Sequence, residues 1–145
     1  MNQRTIRTLS HCFWDCKYHC VWTPRYRGAI LNNDFLKKEL TRILKLVCKW
    51  KGWEVVELNI QDDHLHLVLL LPPKFSVSYA MSVVKGKTSA WLRKQQKLDK
   101  LCDRKGSLWA RGYFVSTIGL DEELIRRYVR HQSHEHQIDQ PKLFD

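Results

Sequence analysis

The sequence predicts an α+β domain of the ferredoxin-like, or RNA-recognition-motif-like, type: an antiparallel sheet with the order β-α-β-β-α-β and one further helix at the C-terminus. Three observations support this prediction. Alternating residues mark strands, apolar positions three and four residues apart mark helices, and no repeat or linker divides the 145 residues. We therefore expect residues 1–145 to form one domain, with helices on one sheet face and the other face open to a ligand.

The first strand and the first helix are predicted over residues 14–22 and 32–51. One face of the strand carries bulky side chains, Trp14, Cys16, Tyr18, Cys20 and Trp22, and the other carries Asp15, Lys17, His19 and Val21. The helix begins with a capping residue, Asn33 or Asp34, and is closed by Gly52. Its apolar stripe consists of Phe35, Leu36, Leu40, Ile43, Leu44, Val47 and Cys48.

The second half of the fold follows in chain order. The predicted elements are strands at 54–61 and 64–71, a helix at 76–98, a strand at 108–118 and a helix at 121–136. Asp62-Asp63 forms a tight turn between the first two of these strands, and Pro72-Pro73 ends the second. Gly112 predicts a bulge or bend in the last strand. The C-terminal helix is acidic in its first turn and basic further on, which suits the helix dipole.

The charge of the chain indicates a polyanionic partner. Lys and Arg number 25 against 15 Asp and Glu, a net charge of +10. Between Lys85 and Lys105 basic residues are concentrated, among them Lys85, Lys87, Arg93, Lys94 and Lys97. Nucleic acid is the usual partner of such a surface, and a solvated basic helix is the alternative.

Membrane insertion and export are not expected. No apolar run approaches the roughly 18 residues of a membrane helix, and no apolar stretch follows Arg4 and Arg7 near the N-terminus. The five cysteines are an odd number, which fits a reducing compartment better than a disulfide framework. We therefore expect a cytoplasmic protein without a membrane partner.

Two histidines at the start of the third predicted strand are candidate metal ligands. Alternation places His64 and His66 on one face, roughly 6.6 Å apart along the strand. Two imidazoles at that separation can share one divalent cation. Such a pair is by itself more often an ordinary surface feature. The neighbouring Asp63 is a candidate to hold one ring in the required tautomer.

Tyr128 and Gln132 are the second candidate pair, on the C-terminal helix. They are four residues apart and therefore share one helix face. An isolated tyrosine at such a position is more often half-buried against the sheet. Its phenol has a pKa of about 10 and is a poor nucleophile at neutral pH unless a cation lies near. A metal-binding histidine pair together with such a tyrosine indicates a site at which a phenolate attacks a phosphate that the metal polarises.

In their order along the chain these motifs resemble those of the single-tyrosine HUH transposases of the insertion-sequence 200/605 family. The resemblance covers about residues 13 to 135. It rests on Lys17-Tyr18-His19-Cys20-Val21-Trp22, His64-Leu65-His66, Lys85-Gly86-Lys87-Thr88-Ser89, Leu108-Trp109 with Gly112-Tyr113-Phe114, and Tyr128 with Gln132. The ordered set is far more specific than any single motif.

The resemblance implies a metal-dependent transposase that cuts and rejoins single-stranded DNA at hairpin-bearing element ends. Tyr128 would form a 5′-phosphotyrosine, and His64, His66 and Gln132 would hold one Mg²⁺ or Mn²⁺. The basic residues Lys85, Lys87, Arg93, Lys94 and Lys97 would contact the hairpin backbone. Members of the family are homodimers in which the tyrosine helix can complete the partner's site, so we expect a homodimer.

Two other functions compete with this interpretation. One is a domesticated, palindrome-specific hairpin nuclease of the same family. The other is a non-catalytic single-strand nucleic-acid-binding module on the same sheet, which explains the charge and the fold. A simple binder gives no reason for His64, His66 and Tyr128 to occur together.

Overall fold

In a computed structural model the chain forms a mixed α+β structure, described for residues 7–9, 12–25, 31–96 and 108–117 and for residues 126, 129 and 130. The elements are β1 (Arg7–Leu9), β2 (Cys12–Trp14), β3 (Lys17–Trp22), α1 (Asp34–Lys51), β4 (Glu54–Ile60), β5 (Leu65–Leu70), α2 (Val77–Gln96) and β6 (Phe114–Ser116). β1 and β2 pair as an antiparallel ribbon, and the other four strands form an antiparallel sheet in the order β4-β5-β3-β6. From β3 onward this is the predicted β-α-β-β-α-β arrangement, which confirms the fold class.

A capping residue at each end determines where helix α1 begins and ends. The side chain of Asn33 accepts hydrogen bonds from the backbone N–H groups of Phe35 and Leu36, at 2.9 and 3.2 Å, so Asn33 rather than Asp34 is the N-cap. At the other end Gly52 adopts the left-handed conformation with φ 76°, as predicted for the residue that closes this helix. Apart from Gly52 and its chain neighbours, no atom of the described residues lies within 4 Å of a Cβ built on Gly52, so its backbone angle and not a lack of space favours glycine.

The main core lies between the two helices and one face of the sheet. Alternate residues of β5 and the residue after it, Leu65, Leu67, Leu69 and Leu71, point into it together with Cys20 and Trp22 of β3. This is the face that alternation predicted for the leucines. Burial raises the pKa of the Cys20 and Cys48 thiols to about 12, so both are protonated at neutral pH and are unsuited to nucleophilic chemistry.

The second sheet face differs from the expected open surface. Val21 pairs with both His66 and Phe114, and His19 pairs with Val68, so these residues share that face. Val21, Val68 and Phe114 are nevertheless buried, with exposed fractions of 0%, 4% and 7%. Part of the face that was expected to be free for a ligand is therefore withdrawn from water, at these three apolar side chains.

Several predicted boundaries shift. The strand predicted at 14–22 is interrupted at Asp15 and Cys16, where β2 ends and β3 has not begun. The strand predicted at 108–118 is reduced to β6 and an isolated bridge between Pro24 and Trp109, because Gly112 adopts φ 82° and bends the chain. The C-terminal helix predicted at 121–136 lies outside the described residues except for positions 126, 129 and 130, which are helical. Within the described ranges, no helix has the length and apolar character needed to cross a membrane.

Helix α2 holds the segment that leads to β6. The Nζ atom of Lys85 donates to the carbonyl oxygens of Ala110 and Gly112, at 2.8 and 2.9 Å. One turn further on, the Ser89 hydroxyl accepts a hydrogen bond from the backbone N–H of Leu108, at 2.9 Å. The Lys85–Ser89 motif thus has a structural function that the sequence did not reveal.

Thr88, in the same motif, connects the buried indole of Trp109 to the helix. Its hydroxyl accepts a hydrogen bond from Trp109 Nε1 at 3.0 Å and donates to the carbonyl oxygen of Val84 at 2.7 Å. We expect Thr88→Val to lower the free energy of unfolding by about 1–3 kcal/mol, because the indole N–H then stays buried without a partner. Urea denaturation measures this loss.

The matched control for Thr88→Val is Thr41→Val in α1. The Thr41 hydroxyl also donates to the carbonyl four residues earlier, that of Lys37, but in the described part of the chain it accepts no bond from a buried side chain. We expect the control to change the free energy of unfolding by less than about 0.5 kcal/mol. Equal effects of the two substitutions would contradict the importance of the indole contact.

Candidate active site

The hairpin between β4 and β5 positions the two predicted histidines. The backbone N–H of Gln61 donates to the carbonyl oxygen of His64, at 2.8 Å, and closes a tight turn. The ammonium of Lys37 lies 2.8 Å from Asp62 Oδ1, which ties the turn to α1. β5 begins at Leu65, so His64 is the last residue of the turn and His66 the second residue of the strand.

The ring of His64 is held by its neighbour Asp63. The distance between His64 Nδ1 and Asp63 Oδ1 is 2.8 Å, and the His64 side chain is about one quarter exposed. When Nδ1 carries the proton and donates it to this carboxylate, the lone pair of His64 lies on Nε2. Asp63 is therefore located where a carboxylate can fix both the tautomer and the ring orientation of a metal-binding histidine.

His66 is the buried member of the pair, with an exposed fraction of 7%. Burial lowers the pKa of His66 below its ordinary value, and the nearby imidazoles of His19 and His64 act in the same direction, whereas Glu57 opposes them. The ring is therefore neutral at physiological pH. Its Nε2 atom is buried and has no hydrogen-bond partner among the residues that the structure describes.

A third histidine, His19 of β3, lies against His66. The two ring centroids are 5.8 Å apart and the ring planes differ by 9°, so the rings are stacked. Sequence reasoning placed His19 on the face opposite the bulky one but did not connect it with His66. Alternation gives the face of each residue, whereas the register between β3 and β5, which makes the two histidines neighbours, is a property of the folded sheet.

The donor set of this hairpin fits a divalent cation in part. His66 offers a neutral nitrogen without a partner among the described residues, and His64 offers a nitrogen oriented by Asp63. Imidazole nitrogen is a common ligand of such ions. Among the described residues no group of three or more His, Cys, Asp and Glu is placed to hold an ion. A metal on the two histidines therefore needs a further ligand of another type or from another segment. The predicted third ligand, Gln132, is an amide and lies outside the described residues.

The predicted DNA-contacting residues have different environments. Burial lowers the pKa of Lys85 to about 8, and its two bonds to backbone carbonyls give it a structural function. Lys87 and Lys94 are exposed on α2, and Arg93 is half-buried. Lys97 lies outside the described residues, as does the predicted nucleophile Tyr128.

The sequence is similar to transposases over most of its length. Residues 12–132 match the family model "Transposase IS200 like". The chain is 37% identical over 129 residues to the transposase of insertion sequence element IS200 from Salmonella typhimurium, covering 89% of this chain and 84% of the relative. It is 25% identical over 122 residues to the ISDra2 transposase TnpA of Deinococcus radiodurans, covering 82% and 85% of the two chains.

Two solved structures share the fold. A crystal structure of a candidate transposase from Deinococcus radiodurans superposes with a TM-score of 0.77 at 24% identity, covering 87% of this chain and 97% of the other. A REP-associated tyrosine transposase bound to a REP hairpin superposes with a TM-score of 0.54 at 12% identity, covering 90% and 74%. With the family match over residues 12–132 and the 37% identity to the IS200 enzyme, the chain belongs to the IS200-like transposases, enzymes that cleave and transfer DNA strands.

Proposed function

We propose that this transposase cleaves and rejoins single-stranded DNA at hairpin-bearing ends through a 5′-phosphotyrosine on Tyr128, with His64, His66 and Gln132 holding one Mg²⁺ or Mn²⁺. The observation that carries the proposal is the histidine pair on the β4–β5 hairpin. One ring is oriented by Asp63, 2.8 Å away, and the other presents a buried nitrogen that has no hydrogen-bond partner within the described ranges. A purely structural pair does not need either feature.

The proposed chemistry is a phosphoryl transfer to and from the tyrosine. The phenolic oxygen of Tyr128 attacks the scissile phosphorus and forms the bond from tyrosine to the 5′-phosphate, while the bond to the 3′-oxygen breaks. The proton lost by the phenol is balanced by the proton that the departing 3′-oxygen gains. In the reverse direction a 3′-hydroxyl of another strand attacks the phosphotyrosine, so phosphoester bonds are conserved and no nucleotide cofactor is needed.

The histidines serve this reaction by remaining neutral and fixed in orientation. A bound Mg²⁺ or Mn²⁺ supplies Lewis-acid stabilisation of charge on the phosphate. Because burial keeps the pKa of His66 low, its ring carries no competing positive charge at neutral pH. Asp63 holds the Nδ1 side of His64 and leaves Nε2 available on the other side of the ring.

DNA binding is assigned to the exposed basic residues of α2. Lys87 and Lys94 are exposed, and within the described ranges neither ammonium makes backbone contacts like those of Lys85. Their ammonium groups are suited to a phosphate backbone, whose recognition needs positive charge but no metal. A hairpin is the substrate of choice for the test, in keeping with the hairpin-bound protein that shares the fold.

The direct test uses a labelled single strand spanning the DNA that flanks the coding sequence of this transposase. We expect incubation with Mg²⁺ to give a shorter labelled strand and a protein–DNA adduct that survives denaturing electrophoresis. A scrambled strand without the hairpin is the control. Binding without any cleavage would favour the non-catalytic module, and cleavage without strand joining would favour the domesticated nuclease.

A further prediction concerns assembly: we expect a homodimer whose active sites combine residues of both subunits. The segment Gly119-Leu120-Asp121 between the last strand and the tyrosine helix predicted from the sequence is short, and a short link permits docking of that helix on a partner subunit. Mixed dimers of Tyr128→Phe with His64→Ala/His66→Ala would then contain one intact composite site. We expect each mixed dimer to regain up to about half of the wild-type activity, which is about a quarter for an equimolar mixture, measured as strand cleavage.

Each variant alone is the control for this mixing experiment and should be inactive. If the tyrosine helix docks on its own subunit, every site in the mixture carries a defect and no activity returns. Sedimentation analysis at the assay concentration reports the assembly separately, and a species that is exclusively monomeric would contradict the prediction.

A further inference from the structure

His19 and His66 are diagonal neighbours on two paired strands. In the register of β3 and β5, His19 is opposite Val68, two residues from His66, and all three side chains share one sheet face. Diagonal neighbours in an antiparallel pair are within reach of each other when the side chains are aromatic. The observed stacking, with centroids 5.8 Å apart and planes within 9°, follows from this register.

The geometry points to His19 as a positioning residue that fixes the ring plane of His66 by stacking against it. The inference rests on the proposed function, because its consequence is a correctly oriented metal ligand. His19 itself is assigned no contact with metal or DNA. It acts through the orientation of its neighbour.

The two proposed ligands differ in what holds them. The ring of His64 is held by the hydrogen bond to Asp63. The ring of His66 makes no hydrogen bond to any residue in the described part of the chain, and its Nε2 atom is buried without a partner. Rotation about the bond to an imidazole ring is governed by a broad torsional preference, so packing must select the orientation. The stacked ring of His19 supplies the packing contact that selects this orientation.

The ring face of His19, rather than its nitrogens, carries this effect. Its Nδ1 atom is buried and has no hydrogen-bond partner among the described residues. A flat ring without nitrogens should therefore replace it, since Nδ1 makes no hydrogen bond within the described residues that the substitution could remove. His19→Phe keeps the stacking surface, whereas His19→Ala removes it.

The test compares Mn²⁺ binding by the DNA-free, full-length protein, followed by the electron paramagnetic resonance signal of free Mn²⁺. We expect His19→Ala to weaken Mn²⁺ binding by roughly 10- to 100-fold, the usual effect of losing an orienting neighbour. His19→Phe should stay within about threefold of the wild type. Val83→Ala, which trims a partly buried side chain on α2 away from the histidines, is the control for a general loss of packing and should leave the affinity unchanged.

A second measurement separates this inference from the metal site on which it rests. Carbon relaxation of the His66 ring in the metal-free protein reports how well the ring is ordered. We expect lower order in His19→Ala and wild-type order in His19→Phe. Wild-type affinity and ring order in His19→Ala would overturn the inference, as would equal losses in the Phe and Ala variants, which would mean that a nitrogen is required.

The reference variant for the metal site is His66→Ala, which should lose Mn²⁺ binding. If it bound Mn²⁺ like the wild type, the proposed metal site would fail. A loss of His66 ring order in His19→Ala alone would then still support the stacking part of the inference, and unchanged order would overturn it.

Discussion

Tyr128→Phe is expected to abolish strand cleavage and the covalent protein–DNA adduct while leaving hairpin binding unchanged. The substitution removes only the phenolic oxygen, which is the atom proposed to attack phosphorus. Removal of a catalytic nucleophile lowers rates by several orders of magnitude, so we expect a loss on the order of 10⁴-fold or more. Denaturing electrophoresis of a labelled single-stranded hairpin measures cleavage and adduct, and a native gel measures binding.

The matched control for this substitution is Tyr113→Phe. Tyr113 precedes β6 and packs on the main core, and it is assigned no part in the proposed site. This variant should cleave at about the wild-type rate. If Tyr128→Phe also cleaves, the nucleophile is another group and the proposed reaction is wrong.

Removal of divalent metal is expected to stop cleavage without releasing the DNA. Excess EDTA withdraws the cation that is proposed to stabilise charge on the phosphate, whereas the proposed lysine and arginine contacts to the DNA backbone do not need it. His64→Ala and His66→Ala should reproduce the effect of the chelator, with losses of about 1,000-fold or more, since each removes a proposed ligand. The assay is strand cleavage with and without EDTA, beside a binding measurement on the same samples.

Asp63→Asn tests the proposed metal site with a weaker perturbation than removal of a histidine. The side chain keeps its size and loses the charge of the carboxylate that lies 2.8 Å from His64 Nδ1. A neighbour of this kind usually affects metal affinity by about 10- to 100-fold, so we expect a partial defect in strand cleavage that added Mn²⁺ relieves.

For the chelation experiment, cleavage at the full rate in excess EDTA would contradict a metal at this site altogether.

The parts of the fold that the sequence predicted are those governed by local pattern. The leucines of β5 alternate in the sequence and line the core in the structure, because strand geometry alone assigns them to one face. The terminal Gly52 was also predicted, and the N-cap was predicted as Asn33 or Asp34, since capping depends on residues adjacent to the helix end.

The parts that the sequence missed depend on contacts between distant segments. The hydrogen bonds of the Lys85 ammonium to the carbonyl oxygens of Ala110 and Gly112, 25 and 27 residues away, were not predicted. The predicted contact of Lys85 with DNA stays a prediction. The stacking of His19 on His66 depends on strand register. The burial of Val21 and Val68 on the second sheet face also follows from tertiary packing, which alternation cannot reveal.

The candidate site also has a part that follows from local sequence and a part that depends on distant segments. His64, His66 and Asp63 are adjacent in the sequence, so one turn brings them together. Tyr128 and Gln132 are more than 60 residues further along the chain, as its numbering shows, and were predicted through the order of family motifs. That these two residues lie close to the histidine pair stays a prediction.

The central claim is the bond between Tyr128 and the 5′-phosphate, and mass spectrometry of the purified adduct tests it most directly. After cleavage of a single-stranded hairpin, the adduct is digested with nuclease and with a protease that cuts after glutamate, which releases the peptide 124–135. We predict that this peptide carries a nucleotide 5′-phosphate, with fragment ions placing it on Tyr128. Cleaved DNA with an unmodified peptide, or a nucleotide on another residue, would contradict the account.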